Sequence, residues 1–414
     1  MNQFFLNFYF IRNGCLCWRW VMLLSVVLLQ ACNTNDLSDL KDRVNANLQN
    51  TSGILVLELS LTASQVVPSL SVVSNSEARA KVEFDLTSNA VAAEVNTNQL
   101  KSAVLSVQIA RGFAGKIGHP IADLIPSDNP DVWRLPDGFV LTDSDTELLF
   151  RGGVYLQVGT VTQIQGAARS QLIVGYQELM INSLSADQVV DTEVNSVAAG
   201  TSYLTVDYLS GDVHGSVWLS DDINPQQVAL RRGIAGTDGE VIMALQPDSA
   251  IPGLWVIPDN TQLTLGSIDE LITANMYTQV TSSQYANGEL RGQVYPSYYY
   301  VDVVELSGMN LVPQVMTQAS GKAYVTLDGI SGYAQAIVKL RDINPGSVSL
   351  FRVNNLNDTN NWRLLFPLEM QQNNWQLAPS SVFEKSDFVN LGKNRLLIIV
   401  TSQDFPLGEI GGWL

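Results

Sequence analysis

The sequence predicts an all-β chain: three tandem β-sandwich or partly open barrel domains after a signal peptide and short tether. Two observations carry this. Short alternating runs recur, such as Ser202-Tyr203-Leu204-Thr205-Val206-Asp207 and Glu240-Val241-Ile242-Met243-Ala244-Leu245, and a period of two suits a strand with one face buried. Clusters of Gly, Asn, Asp and Pro separate them and supply turns. Five landmarks then repeat at an interval near 121 residues: Leu61, Leu184 and Leu306; Asp85, Asp207 and Asp328; Arg111, Arg232 and Arg352; Trp133, Trp255 and Trp375; and Gly166, Gly288 and Gly408. Repetition at a fixed interval means copies of one folding unit.

The amino terminus reads as an address. Arg12 and Arg19 precede the apolar run Trp20–Leu29, which ends in Gln30-Ala31-Cys32. About ten apolar residues are too few to cross a bilayer, and small residues at the end of the run suit a peptidase, so residues 1–31 are expected to be a signal peptide. Leu29-Gln30-Ala31-Cys32 resembles a bacterial lipobox, which implies acylation of Cys32. Asn33 follows the cysteine where an aspartate would favour inner-membrane retention, so the resemblance implies an outer-membrane lipoprotein. Cys15 and Cys17 lie upstream of the cleavage point, leaving the mature chain one cysteine and no disulfide. Residues 32–52 are polar and read as the acylated cysteine and a flexible tether, although Leu37, Leu40, Val44 and Leu48 fall at near-helical spacing.

Domain boundaries are placed at 53–175, 176–297 and 298–414. Each copy opens on a similar phrase, Leu-Thr-Ala-Ser-Gln-Val-Val-Pro at 61–68, Leu-Ser-Ala-Asp-Gln-Val-Val at 184–190, and Leu-Ser-Gly-Met-Asn-Leu-Val-Pro at 306–313. Asn287-Gly288 predicts a type I′ hairpin turn, because both central residues of that turn need positive φ. Glycine-rich loops at 112–118 and 233–239 follow a strand; the third copy has Val353, Asn354, Asn355 and Asn357 there instead. The opening phrase, the glycine loop and the closing Asn-Gly-Glu-Leu-Arg-Gly-Gln at 287–293 look like the CHRD domain first described in chordin. The resemblance covers nearly all of the mature chain. Many bacterial members of that family carry a His-x-His pair before the loop. The corresponding positions here are Gln108 and Ala110, Ala229 and Arg231, Ser349 and Phe351, so no metal site is carried over.

Forty acidic against twenty-three basic residues give a net charge of −17, and loss of residues 1–31 with their two arginines takes it to −19. Such a surface repels phosphate backbones, which argues against nucleic-acid binding. His119 and His214 are the chain's two histidines and fall at non-equivalent places, so no catalytic triad is expected; both are read as solvent-facing. The glycine loops lack the following helix that a phosphate cradle needs and read as strand connections. Arg111, Arg232 and Arg352 form a speculative ligand-binding row, with pairing to a local acid the preferred reading. Glu289 with Arg291 reads as an alternate-residue pair on one strand face. The three tryptophans read as core anchors before carbohydrate platforms. Asp-Ile-Asn-Pro at 222–225 and 342–345 reads as a turn with too few oxygens for calcium. The expectation is a lipid-anchored envelope protein with a non-enzymatic binding or structural role, no cofactor, and an envelope or extracellular protein as possible partner. The alternative is an envelope metal-binding protein or enzyme on the same scaffold, which requires a polar pocket shared by adjacent copies.

Overall fold

The computed structural model describes residues 53–68, 77–354, 362–393 and 395–414. The expected signal peptide, Cys32 and the expected tether lie outside the described residues.

Alternating side chains build three antiparallel barrels of related topology, the first two partly open and the third closed. The first holds β1 (Ile54–Thr62), β2 (Glu77–Asp85), β3 (Val91–Asn96), β4 (Val104–Arg111), β5 (Pro120–Asp123), β6 (Ile125–Pro126), β7 (Val132–Arg134), α1 (Asp143–Phe150), β8 (Val154–Thr160) and β9 (Ala168–Gln171). Its sheet order is β5-β4-β8-β9-β1-β2-β3-β7-β6. The ring comes round on itself because β5 and β6 are halves of one extended stretch, the first paired to β4 and the second to β7. The second barrel runs through β10 (Gln177–Leu184), β11 (Gly200–Asp207), β12 (Val213–Leu219), β13 (Pro225–Arg232), β14 (Val241–Ala244), β15 (Gln246–Pro247), β16 (Leu254–Val256), α2 (Leu265–Ile272), β17 (Met276–Ser282) and β18 (Leu290–Val294). The third uses β19 (Tyr299–Ser307), β20 (Ser320–Asp328), β21 (Ala334–Arg341), β22 (Pro345–Val353), β23 (Trp362–Gln371), β24 (Asn374–Leu377), α3 (Lys385–Phe388), β25 (Leu396–Ser402) and β26 (Ile410–Trp413). There β23 is continuous, pairs with both β22 and β24, and the barrel is closed. Closure occurs at one position in every copy: Thr62 opposite Arg169, Ser185 opposite Arg291, and Ser307 opposite Gly411.

In β2, Ala78, Ala80, Val82 and Phe84 enter the core while Arg79 and Lys81 stay in solvent. Each barrel encloses its own apolar cluster. The recurring aspartates that close the second strand of each copy fold the next turn: Asp85, Asp207 and Asp328 each accept, through Oδ1, the amides two and three residues on. Such a side chain substitutes for a backbone acceptor in a tight turn.

Two local features depart from the sequence reading. The loop between β17 and β18 spans Ser283–Glu289, longer than a two-residue hairpin turn. Gly288 alone of the Asn-Gly pair has positive φ, 130°, because the loop is organised by Tyr285, whose carbonyl accepts the Gly288 amide. Each barrel also carries a short helix that strand periodicity does not announce. Thr142 and Thr264 cap the first two by accepting the amides of Asp145 and Ser267 at 3.1 and 3.2 Å, and Glu384 with Asp387 form a capping box on the third. A Thr at the N-cap satisfies an amide the helix itself leaves open.

Replacing Asp328 by Ala is expected to cost about 1–3 kcal/mol by stranding the Ile330 and Ser331 amides. Denaturant midpoints read this, with an unchanged slope showing that the rest of the fold is intact.

Candidate functional site

The repeated arginines Arg111, Arg232 and Arg352 end the strand before each loop and face the short helix of their own barrel. Arg111 donates from Nε and Nη2 to Asp145 at 2.5 and 3.0 Å. Burial disfavours ionisation of Asp145, yet hydrogen bonds from Arg111 and Thr142 hold its carboxyl below the usual range. Arg352 makes the same pair with buried Asp387. In the second copy Ser267 occupies the acid's position, and Arg232 turns to Glu270 at 2.9 Å and to Glu240. The row thus binds the helix to the strand in each copy.

A second pair of arginines, Arg291 of the closing motif and its first-copy counterpart Arg169, lies at the barrel seam. Arg169 and Arg291 are each 1% exposed. Each guanidinium stacks on a tyrosine, Arg169 at 3.5 Å from the Tyr155 ring centroid and Arg291 at 3.6 Å from that of Tyr277. Each donates to carbonyls of the glycine loop: Arg169 to Lys116 and Phe113 at 2.8 and 3.2 Å, Arg291 to Thr237 and Ile234 at 2.8 and 3.1 Å. A glutamine two residues on completes the arrangement. Gln171 donates to the carbonyls of Gly112 and Gly152, and Gln293 to those of Gly233 and Ala274. The tyrosine hydroxyls accept the amides of Gly118 and Gly239. Burial lowers the Arg169 pKa to about 10, which leaves it charged at neutral pH. The Glu289–Arg291 pair therefore divides: Arg291 serves the loop, while Glu289 accepts from Ser196 Oγ at 2.7 Å. The third copy has Gly411 and Trp413 in place of Arg and Gln, and an apolar cluster of Leu311, Val353, Leu397 and Ile399 replaces the polar network.

The loop so held is a plug. Ala114 and Gly115 rest on the outer face of β11 and β12, where Trp218 Nε1 donates to the Gly115 carbonyl at 2.6 Å. Val66 and Val67, from the first copy's opening phrase, lie alongside, and Tyr203 Oη donates to the Ser64 and Val66 carbonyls. Val67, Ala114, Tyr203, Trp218 and Leu254 share one apolar cluster. The second joint repeats the first: Val190 and Ala235 pack on Tyr324, whose Oη donates to the Val189 carbonyl at 3.3 Å. Gly115 and Gly236 have positive φ, 76° and 85°, and a Cβ on either would come within 2.9 Å of Tyr203 or Tyr324. Every residue of β12 is consequently buried.

His214 is corrected from solvent-facing to buried. It stacks on Phe113 of the first copy, ring centroids 3.7 Å apart, because β12 is covered on both faces. Burial and then the charge of Arg151 push its pKa down to about 4. A small cleft beside it is lined by Phe150, Arg151, Gln177, Thr205, Asp207 and Asp212. His119 is exposed. Trp133, Trp255 and Trp375 are half-buried against the cores of their own barrels. Among the described residues no group of three or more His, Cys, Asp or Glu is placed to hold a metal ion.

The chain matches a protein-family model, the CHRD domain, over residues 57–172, 181–294 and 303–414. No curated protein and no solved structure matches it.

Arg169→Met is expected to destabilise the first barrel by about 2–4 kcal/mol through the carbonyls it leaves unpaired, measured by thermal or denaturant unfolding. His214 takes up its proton at lower pH in the folded chain than in the unfolded one. Its contribution is therefore complete above the ordinary value near 6.5 and is lost as pH falls towards 4. Denaturant midpoints should decline across that window by up to about 3 kcal/mol of stability, and His214→Phe should flatten the decline.

Proposed function

Since the chain belongs to the CHRD domain family and carries three copies in tandem, we propose that it is a lipid-anchored protein of a bacterial cell envelope with a non-enzymatic binding or structural role. The carrying observation is where its repeated polar groups are engaged. Arg111, Arg232 and Arg352 hold helices, Arg169 and Arg291 hold loops, and the loops hold neighbouring barrels. These groups serve an assembled surface, whereas a catalyst needs converging side chains left available for substrate.

Anchoring follows from Cys32 and the apolar run before it, with the lipid on the outer membrane and the acidic barrels presented beyond a polar tether. A single acyl chain binds a membrane weakly, and stable retention takes more than one, so the reading entails multiple acylation at the new amino terminus.

Cells expressing the full chain and fed an alkyne-bearing fatty acid should yield a labelled band in the membrane fraction. Cys32→Ser should abolish the label and release or mislocalise the protein. Equal labelling of the two chains would refute the anchor.

A further inference from the structure

The socket that receives the first plug is one strand, and it meets the loop residue against residue. His214, Ser216 and Trp218 alternate along β12 with Val213, Val217 and Leu219, which belong to the core of their own barrel. The outward three face three successive residues of the first copy's glycine loop: His214 stacks on Phe113 with centroids 3.7 Å apart, Ser216 Oγ donates to the Ala114 carbonyl at 3.5 Å, and Trp218 Nε1 to that of Gly115 at 2.6 Å. Of these three side chains only the imidazole changes charge in mild acid. Arg151, at the end of α1, donates from Nη2 to His214 Nε2 at 3.5 Å, a role Nε2 can fill only while it carries no proton. Protonation turns that acceptor into a donor facing a guanidinium. Lys116 of the loop adds a second positive charge, while Asp212 before β12 and Asp259 between β16 and α2 act the other way. Asp207 lines the same cleft, its Oδ1 committed to the amides of Leu209 and Ser210. The Phe113 face attracts a cation weakly, but the stack also excludes the water that an imidazolium needs.

What excludes that water is the other barrel. The apolar cluster of the joint, Val67, Ala114, Tyr203, Trp218 and Leu254, is separate from the core of the second barrel, so lifting the loop hydrates His214 while that core stays closed. A proton favours the state that gives it water, and the least costly such state is reached by parting the joint. We propose that the first joint is an acid-sensitive hinge: protonation of His214 releases the Phe113–Gly115 loop tip from β12, uncovers Tyr203 and Trp218, and leaves all three barrels folded. The second joint lacks the trigger. There Gln335 and Ile234 hold the places of His214 and Phe113, and a side-chain amide has no proton to gain. Its ion pairs, Lys339 with Asp191 and Arg341 with Glu193, put their carboxylates at the surface, where such pairs contribute little. The hinge is independent of the anchor.

In the chain from residue 32 onward with Cys32→Ser, one added cysteine reports each joint separately: Ser216→Cys for the first and Ile337→Cys, at the corresponding socket position, for the second. Both positions are buried. The readout is the rate of labelling by a pyridyl disulfide, which reacts in acid, divided by the rate for the urea-unfolded chain at the same pH. From about pH 7 to 3.5 the ratio at Ser216→Cys should rise on the order of 100-fold, the span for a histidine lowered from 6.5 to about 4. Ile337→Cys should show no matching rise, and far-UV circular dichroism should hold. His214→Gln, which installs the second joint's side chain, should abolish the rise. Equal rises at both positions, a rise that survives His214→Gln, or no rise at all would each overturn the hinge. A rise accompanied by loss of the β signal would move the proton's effect from the joint to the barrel and overturn it as well.

Discussion

Two buried guanidiniums hold the rest in place. A charge taken out of water must be repaid by close partners, and Arg169 and Arg291 are repaid by loop carbonyls and a tyrosine face. The repayment runs both ways, because a glycine-rich loop has many rotational states and few side chains to fix it. The loop's carbonyls are collected by one rigid fork at the seam where the barrel closes. Its tip then projects at the angle that lets Gly115 or Gly236 meet a tyrosine on the next barrel. Seam, loop and joint are one unit.

The third copy shows that unit replaced by another packing. Gly411, Trp413 and Leu397 stand where the first copy has Arg169, Gln171 and Tyr155, and the vacated position is filled by apolar packing. The substitutions are mutually consistent. Removing the guanidinium alone would have left orphaned glutamine and carbonyl groups, and an isolated loss of that kind is costly. Arg352, by contrast, is retained with its acid, since the helix it holds is present in every copy.

Much of the architecture was legible in the sequence, because strand alternation and a repeated landmark set are both local signals. The all-β class and three copies followed from them, and Trp133, Trp255 and Trp375 pack, half-buried, against the cores of their own barrels. The helices were hidden because eight residues or fewer make too brief a periodic pattern, although Thr142 and Thr264 are the caps that mark them. The joints were hidden for another reason: a strand buried on both faces reads as a plain apolar run, and nothing local says what lies on its outer side. One signal was present. Tyr203 and Tyr324 recur on the outward face of a strand whose first-copy counterpart is Lys81, and an aromatic that alternates with core positions needs a cover. His214 was misjudged for the same reason, its environment being supplied by a different copy.

The differences among the three copies bear on how such a chain changes length through gene duplication. Only the middle copy carries both a tyrosine socket and a glycine plug. A newly duplicated middle copy inserted beside its parent would find a fitting neighbour on each side at once. A duplicate of the first or last copy would bring a charged face or a loop without glycines into the interior. Growth from within is thus the route this geometry leaves open to descendants.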